Sequence, residues 1–380
     1  MQATKAIIHL DNLCHNIDAA RRKAGPHTKI CMPVKADAYG HGAVPVSRCA
    51  LEAGVEYLAV AGVSEGAELR DAGITAPVLL LSQALPEELP GIVSHGLVPL
   101  VSDAEFIDEA ARAAEKAEKK LTLHLKVDTG MGRLGCSQEE AVSLAVKIAS
   151  SKALSLGGVA THFSVSESQD PYDVTYTKGQ LRRFRETIAS IKSAGVEPGI
   201  LHAANSGALV FHEDSYFDMI RPGLFLYGYF PAANTSAASK NENDFSPKPV
   251  MELQSKVVFI KKVDKGETVS YGRTWTAPED TLIGILPVGY ADGFPWHLSN
   301  NHSVYIRGKA YPIAGRICMD QCAVNLGRET EVKRWDDAVI FGPGFITVRD
   351  LAEKLKTVPY EITCNINKRV PRDYVACTRT

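Results

Sequence analysis

Short apolar runs and longer amphipathic stretches alternate through the first 230 residues of the chain. Eight runs have the length and unbroken apolar character of strands buried on both faces: 29–35, 57–62, 77–82, 97–102, 121–128, 156–163, 200–205 and 217–223. Between them lie stretches such as 104–119, 137–151 and 174–194, where apolar residues recur at spacings of three and four, the period of a helix packed on one face. Eight repeats of strand then helix, joined by short connections, predict an α/β fold that closes as a TIM-like (β/α)8 barrel rather than an open doubly wound sheet.

The pattern breaks after Phe230. Residues 231–249, PAANTSAASKNENDFSPKP, are small, polar and bracketed by proline, and read as a linker. Beyond it come runs of strand character at 251–271, 281–293, 302–326 and 337–344, with pairing expected around turns such as Asp264–Gly266, and one helical pattern at 348–356. Two domains are expected: a barrel over 1–235, whose first ten residues are candidates to join the second domain, and a mainly-β domain over 236–380.

Composition narrows the class. The 42 Lys+Arg against 44 Asp+Glu leave a net charge of -2, which removes the basic footprint of a nucleic-acid binder. No apolar run approaches the roughly 20 residues of a membrane span. The start, MQATKAIIHLDNLCHN, lacks the basic and apolar segments of a secretory signal, so a cytoplasmic protein is expected. Eight scattered cysteines read as free thiols, and Cys318 with Cys322 lack the second pair a zinc site needs. No metal is expected.

In a barrel, functional groups stand at the C-terminal ends of the strands. The first predicted strand ends in Val34-Lys35-Ala36-Asp37-Ala38-Tyr39-Gly40-His41-Gly42. Partial burial of Lys35 would free its amine for Schiff-base chemistry; a solvated loop lysine is the alternative. The fifth strand leads into Gly130-Met131-Gly132-Arg133-Leu134-Gly135, a formal GxGxxG. It fails as a dinucleotide site, because no acidic residue stands near position 155 and the strand does not open a nucleotide-binding half. Arg133 is either a ligand-facing guanidinium or half of a structural ion pair. His162 and His202 end the sixth and seventh strands without carboxylate partners for a metal. Ser206, Gly223 and Leu224 follow strands seven and eight, where barrels bind phosphate, although Ser206 could equally be a plain helix cap. Tyr271 and Tyr290 stand beside glycines in the second domain, each weak alone.

The ordered set VKADAYGHG, KVDTGMGRLG, THFS, HAANSGAL, RPGLFLYG, VSYGRTW, GYADG, GRICMDQ and RVPR, from Lys35 to Arg372, resembles the alanine racemases. That resemblance implies pyridoxal 5'-phosphate, an amino-acid substrate and a homodimer with shared active sites. It assigns Lys35 to the cofactor and the D-face proton, and Tyr271 of the partner subunit to the L-face proton. Two bases are needed because the planar α-carbon must exchange protons on both faces. It places Arg221 against the pyridine nitrogen with His162 nearby, Arg133 and Met319 against substrate, and Lys126 as a carbamylated support for Arg133. Tyr39, Asn205, Ser206, Gly223, Leu224 and Lys368 fall to the cofactor; Tyr290, Asp320, His202 and Arg316 fall to support and access. Two positions depart from the pattern: Lys368 stands where many members have a tyrosine, and Trp296 where an arginine is common. The expected activity is interconversion of L- and D-alanine for cell-wall peptide. Serine or broader specificity, a decarboxylase of basic amino acids and a non-catalytic cofactor carrier are the rivals.

Overall fold

The computed structural model describes residues 3–231 and 245–375. Most of the expected linker, the expected domain boundary and Cys377 lie outside the described residues. The chain divides into two compact units: one of residues 13–38, 43–231 and 245–247, the other of 3–12, 39–42 and 248–375. The second unit therefore takes the first strand and a four-residue turn from within the barrel sequence.

The first strand is β1 (Lys5–His9). The barrel strands are β2 (Lys29–Pro33), β3 (Tyr57–Val60), β4 (Val78–Leu80), β5 (Val98–Val101), β6 (Leu121–Lys126), β7 (Leu154–Ala160), β8 (Ile200–His202) and β9 (Met219–Ile220). They pair in parallel in the order β8-β7-β6-β5-β4-β3-β2-β9. The ring closes where Asp218 N–H donates to the Leu201 carbonyl at 3.1 Å and Arg221 N–H to that of Ala204 at 2.8 Å. One interior layer is apolar: Cys31, Ala59, Leu79, Leu100, Ala160 and Met219 pack together with Val98 and Ile200. Side chains two residues further along a strand share its face, one layer nearer the mouth. From Ile200 that step gives His202, and from Met219 it gives Arg221.

Helices seal the outside, and the three longest amphipathic ones expected above start on side-chain caps. Asp103 accepts from Phe106 N–H for Ala104–Lys116, and Ser137 with Glu140 forms a reciprocal capping box for Gln138–Ser150. The first of these stops three residues short of expectation, because Glu118 turns left-handed at φ 53°. The third, Pro171–Ser193, begins three residues earlier than its apolar pattern, with Asp170 as cap and proline in its first turn.

The second unit holds β10 (Met251–Lys256), β11 (Phe259–Val263), β12 (Thr268–Val269), β13 (Trp275–Thr276), β14 (Thr281–Leu286), β15 (Ser303–Ile306), β16 (Lys309–Pro312), β17 (Cys322–Gly327), β18 (Asp337–Phe341) and β19 (Arg372–Val375). One sheet runs β16-β15-β18-β10-β1-β19, so a strand from each end of the chain lies side by side in parallel. A second sheet runs β11-β14-β17. The turn at Asp264–Gly266 is present, but it does not make a hairpin. The strands beside it pair elsewhere, β11 with β14 and β12 with β13, because Ile283 and Val263 are needed in the same core as Val269 and Ala323.

Candidate active site

In the barrel unit, polar groups replace the apolar interior on one side of the mouth. On β6, His124 and Lys126 take inward positions opposite Gly158 and Ala160 of β7. Lys126 is buried. Desolvation, then the positive charges of Arg221 and Arg133, lower its pKa to about 8 against the opposing pull of Asp128. Lys35, half-buried one residue beyond Val34, adds to that positive field.

Arg221 is the centre of the cluster. Its guanidinium donates to Nδ1 of His202 at 2.7 Å, Nδ1 of His162 at 3.2 Å, and the carbonyls of Thr161 and Ala203 at 2.7 and 3.3 Å. Burial lowers its pKa to about 10, still far above neutrality, so it stays charged. A guanidinium only donates, so both histidines must accept from it. His202 then carries its proton on Nε2 and donates to Nδ1 of His124 at 2.8 Å. Burial, and next the nearby arginine charge, push all three histidines below their ordinary pKa, which keeps this chain of fixed tautomers neutral. His124 is the member that the motif reading missed. Its signal was parity: it stands two residues before Lys126 on one strand face.

The loop after β6 is built around Asp128. One of its oxygens accepts from the N–H groups of Gly130 and Met131, both at 2.8 Å, and both oxygens accept from Gly132. Partial burial opposes ionisation of Asp128, but these bonds outweigh it and hold the carboxyl below its ordinary range. Gly135 allows the loop to fold back, since a Cβ there would strike the backbone of Val127 and Asp128. Arg183 and Tyr176 clasp the loop through the carbonyls of Thr129 and Gly130. The glycines of the formal GxGxxG thus wrap a carboxylate, and Arg133 projects exposed from the turn.

After β8, Asn205 caps the helix Ser206–Phe211 by accepting from Ala208 N–H at 3.0 Å, and itself accepts from the Ser166 hydroxyl at 2.7 Å. Gly207 sits so close to Ser166 that a Cβ would come within 2.6 Å of its hydroxyl. The Ser206 hydroxyl accepts from Phe225 N–H at 3.2 Å, which ties this helix start to the loop after β9. Among the described residues no acceptor meets the N–H of Gly223 or Leu224. Paired with the cations at Lys35, Lys126, Arg133 and Arg221, these donors fit a ligand carrying a phosphate and further negative charge.

The second unit gathers another set. Tyr271, Met319, Tyr290 and Trp296 are 72 %, 52 %, 44 % and 43 % exposed, so their own unit leaves them uncovered. Gly289 allows two segments to meet, because a Cβ there would strike the carbonyls of Cys318 and Met319. Tyr290 and Ala291 donate their N–H groups to those carbonyls, both at 3.0 Å. The Met319 N–H meets no acceptor among the described residues. Arg369 bridges Asp292 and Asp320, both at 2.8 Å. Arg316 lies 5.6 Å over the Trp296 ring. Tyr39 packs edge-on against Tyr360 at 5.3 Å, and burial raises its phenol pKa. Lys368 is exposed beside Arg369.

Comparison with known proteins accounts for both units. Residues 8–231 match the profile of the alanine racemase N-terminal domain, and residues 250–374 that of the C-terminal domain. The alanine racemase of Treponema denticola is 49% identical over 99% of both chains, and that of Treponema pallidum 43% identical over 99% of this chain and 100% of its own. Among solved structures, the alanine racemase of Clostridium difficile 630 superposes with a TM-score of 0.92 at 34% identity, covering 99% of this chain and 96% of its own. That of Bacillus anthracis with bound L-Ala-P gives 0.91 at 32% identity, covering 99% and 96%. The chain belongs to the alanine racemase family.

Proposed function

We propose that the protein interconverts L- and D-alanine with pyridoxal 5'-phosphate held on Lys35. The observation that carries this reading is the barrel mouth itself: a half-buried lysine at a strand end, four cationic side chains with one opposing carboxylate, and, after strand β9, the N–H donors of Gly223 and Leu224, which meet no acceptor among the described residues. Bound there, the cofactor supplies an electron sink that acidifies the α-hydrogen of the amino acid.

The chain's own residues do the rest. Lys35 moves the proton on the D face, and Tyr271 of the partner subunit moves the one on the L face. Arg221 is the residue that would meet the ring nitrogen. Charged and already making four hydrogen bonds, it keeps its protons, which weakens the sink and favours return of the α-proton over transamination. Arg133 and the free Met319 N–H of the partner hold the substrate carboxylate. Ser206, Gly223, Leu224 and Tyr39 would bind the phosphate, with Asn205 in support and Lys368 adding a point charge, while His162 stays with Arg221.

With its pKa lowered to about 8, Lys126 offers a minor fraction of neutral amine at neutral pH and a major one above pH 8. Attack on carbon dioxide would give a carbamate and release a proton, placing an anion beside Arg133. Lys368 lacks a flat ring, and this departure favours acceptance of substrates broader than alanine, serine first. A shared homodimeric site explains why Tyr271, Tyr290, Trp296 and Met319 stand exposed together. We place the enzyme in the cytoplasm, supplying D-alanine for cell-wall peptide; among the described residues no helix is long and apolar enough to cross a membrane.

The test is a pair of variants. Lys35→Ala is expected to lose both the visible absorbance of bound cofactor and racemisation. Tyr271→Phe is expected to keep the absorbance and lose about 10²- to 10⁴-fold in kcat, the scale of one acid–base group. Full racemisation by the tyrosine variant would overturn the two-base assignment, and a serine preference in a substrate panel would replace alanine.

A further inference from the structure

The exposed phenol of Tyr271 gains little guidance from packing, so its direction must come from the backbone that carries it. That backbone is unusual. Ser270, the residue before it, has φ 68° and ψ 179°, a combination that essentially only glycine adopts. Gly272 and Arg273 follow at φ 70° and 51°, so the tyrosine is bracketed by left-handed residues. A side chain at position 270 pays a steric penalty that a glycine would avoid, and something must offset it.

The offset is visible. The Ser270 hydroxyl donates to the Arg316 carbonyl at 2.6 Å and lies 3.4 Å from Cys318 Sγ. Gly315 makes room on the far side, where a Cβ would come within 2.5 Å of the Val269 carbonyl and 2.7 Å of the Ser270 Cβ. At Gly272 a Cβ would come within 2.9 Å of the Arg316 guanidinium carbon. Ser270 thus ties the tyrosine turn to the 315–319 segment that presents Met319. Outliers of this kind persist only when their surroundings over-determine them.

We infer that Ser270 is a positioning residue for the L-face proton transfer: its hydroxyl bond to Arg316 holds a glycine-only conformation and thereby aims Tyr271. The inference rests on Tyr271 being the second base. Ser270→Ala keeps the Cβ that makes the conformation costly and removes the bond that holds it. Ser270→Gly removes both.

The experiment uses the cofactor-loaded enzyme and alanine deuterated at the α-carbon. Ser270→Ala is expected to lower kcat at least tenfold with unchanged cofactor absorbance, and Ser270→Gly to lose less. In Ser270→Ala the deuterium effect on kcat/KM is expected to rise with L-alanine and fall with D-alanine, because only the tyrosine's step is slowed. A general loss of structure would not split the two substrates in that way. Wild-type rates in Ser270→Ala, equal losses in both variants, or unsplit isotope effects would each overturn the inference. If Ser270→Ala fails to fold, Ser270→Gly decides alone: a loss of tenfold or more overturns it, and a smaller loss supports it. Tyr271→Phe run alongside separates the two failures, since an active Phe variant removes the base assignment and an inactive one leaves it standing whatever Ser270 does.

Discussion

Lys126 shows how much one residue owes to its surroundings. On a surface its ammonium would titrate near 10; inside the barrel, desolvation and neighbouring cations bring it to about 8. The lowered value means that the neutral amine grows from a minor to a major fraction between pH 7 and pH 9. At fixed dissolved carbon dioxide, carbamylation should therefore rise across that window, read as a 44 Da mass increment or by carbon-13 NMR, about the mass of one carbon dioxide. An unmodified amine at pH 9 would remove the carbamate from the mechanism. Lys126→Arg, which cannot be carbamylated, should leave no increment at any pH. The resemblance put Lys126 beside Arg133, but nothing in the sequence said that it would be buried in the field of Arg221 and Lys35 as well.

At the scale of an element, the segment Lys35–Tyr39 is the least expected. Glycines, the residues suited to a left-handed turn, stand here only at positions 40 and 42. The structure instead makes a left-handed turn from residues that are not glycine: Ala36, Asp37, Ala38 and Tyr39 have φ between 52° and 54°. Each such residue costs about 1–2 kcal/mol. The Asp37 carboxylate accepts from Ala43 N–H at 2.8 Å and that of Glu65 from Ala36 N–H at 2.7 Å, bonds that hold the turn. Ala36→Gly should raise unfolding stability by about 0.5–1 kcal/mol, the relief of strain less the extra entropy of an unfolded glycine. Asp37→Ala should lower it by about 1 kcal/mol, the loss of a capping bond. Denaturant titration reads both, and a destabilised Ala36→Gly would refute the strain argument. Local pattern could not reveal this turn, because L-residues avoid that region until tertiary contacts impose it.

For the whole molecule, the exposed set Tyr271, Tyr290, Trp296 and Met319 predicts assembly. Sedimentation should show a homodimer, and dilution that separates the subunits should abolish racemisation; activity in an isolated protomer would count against a shared site. The pattern of apolar runs determined the eight-stranded barrel and the β-rich second unit, because strand burial and helix period are written locally. Ordered motifs marked Lys35, Arg133, Arg221 and Tyr271. Only the tertiary structure joined β1 to β19 in one sheet, paired β11 with β14 across a false hairpin, and lined up Arg221, His202 and His124 with their protons fixed. The physical reason is common to all three: register and hydrogen-bond partners depend on which distant segment fills the neighbouring position, and a linear pattern carries the period of a segment but not the identity of its neighbour.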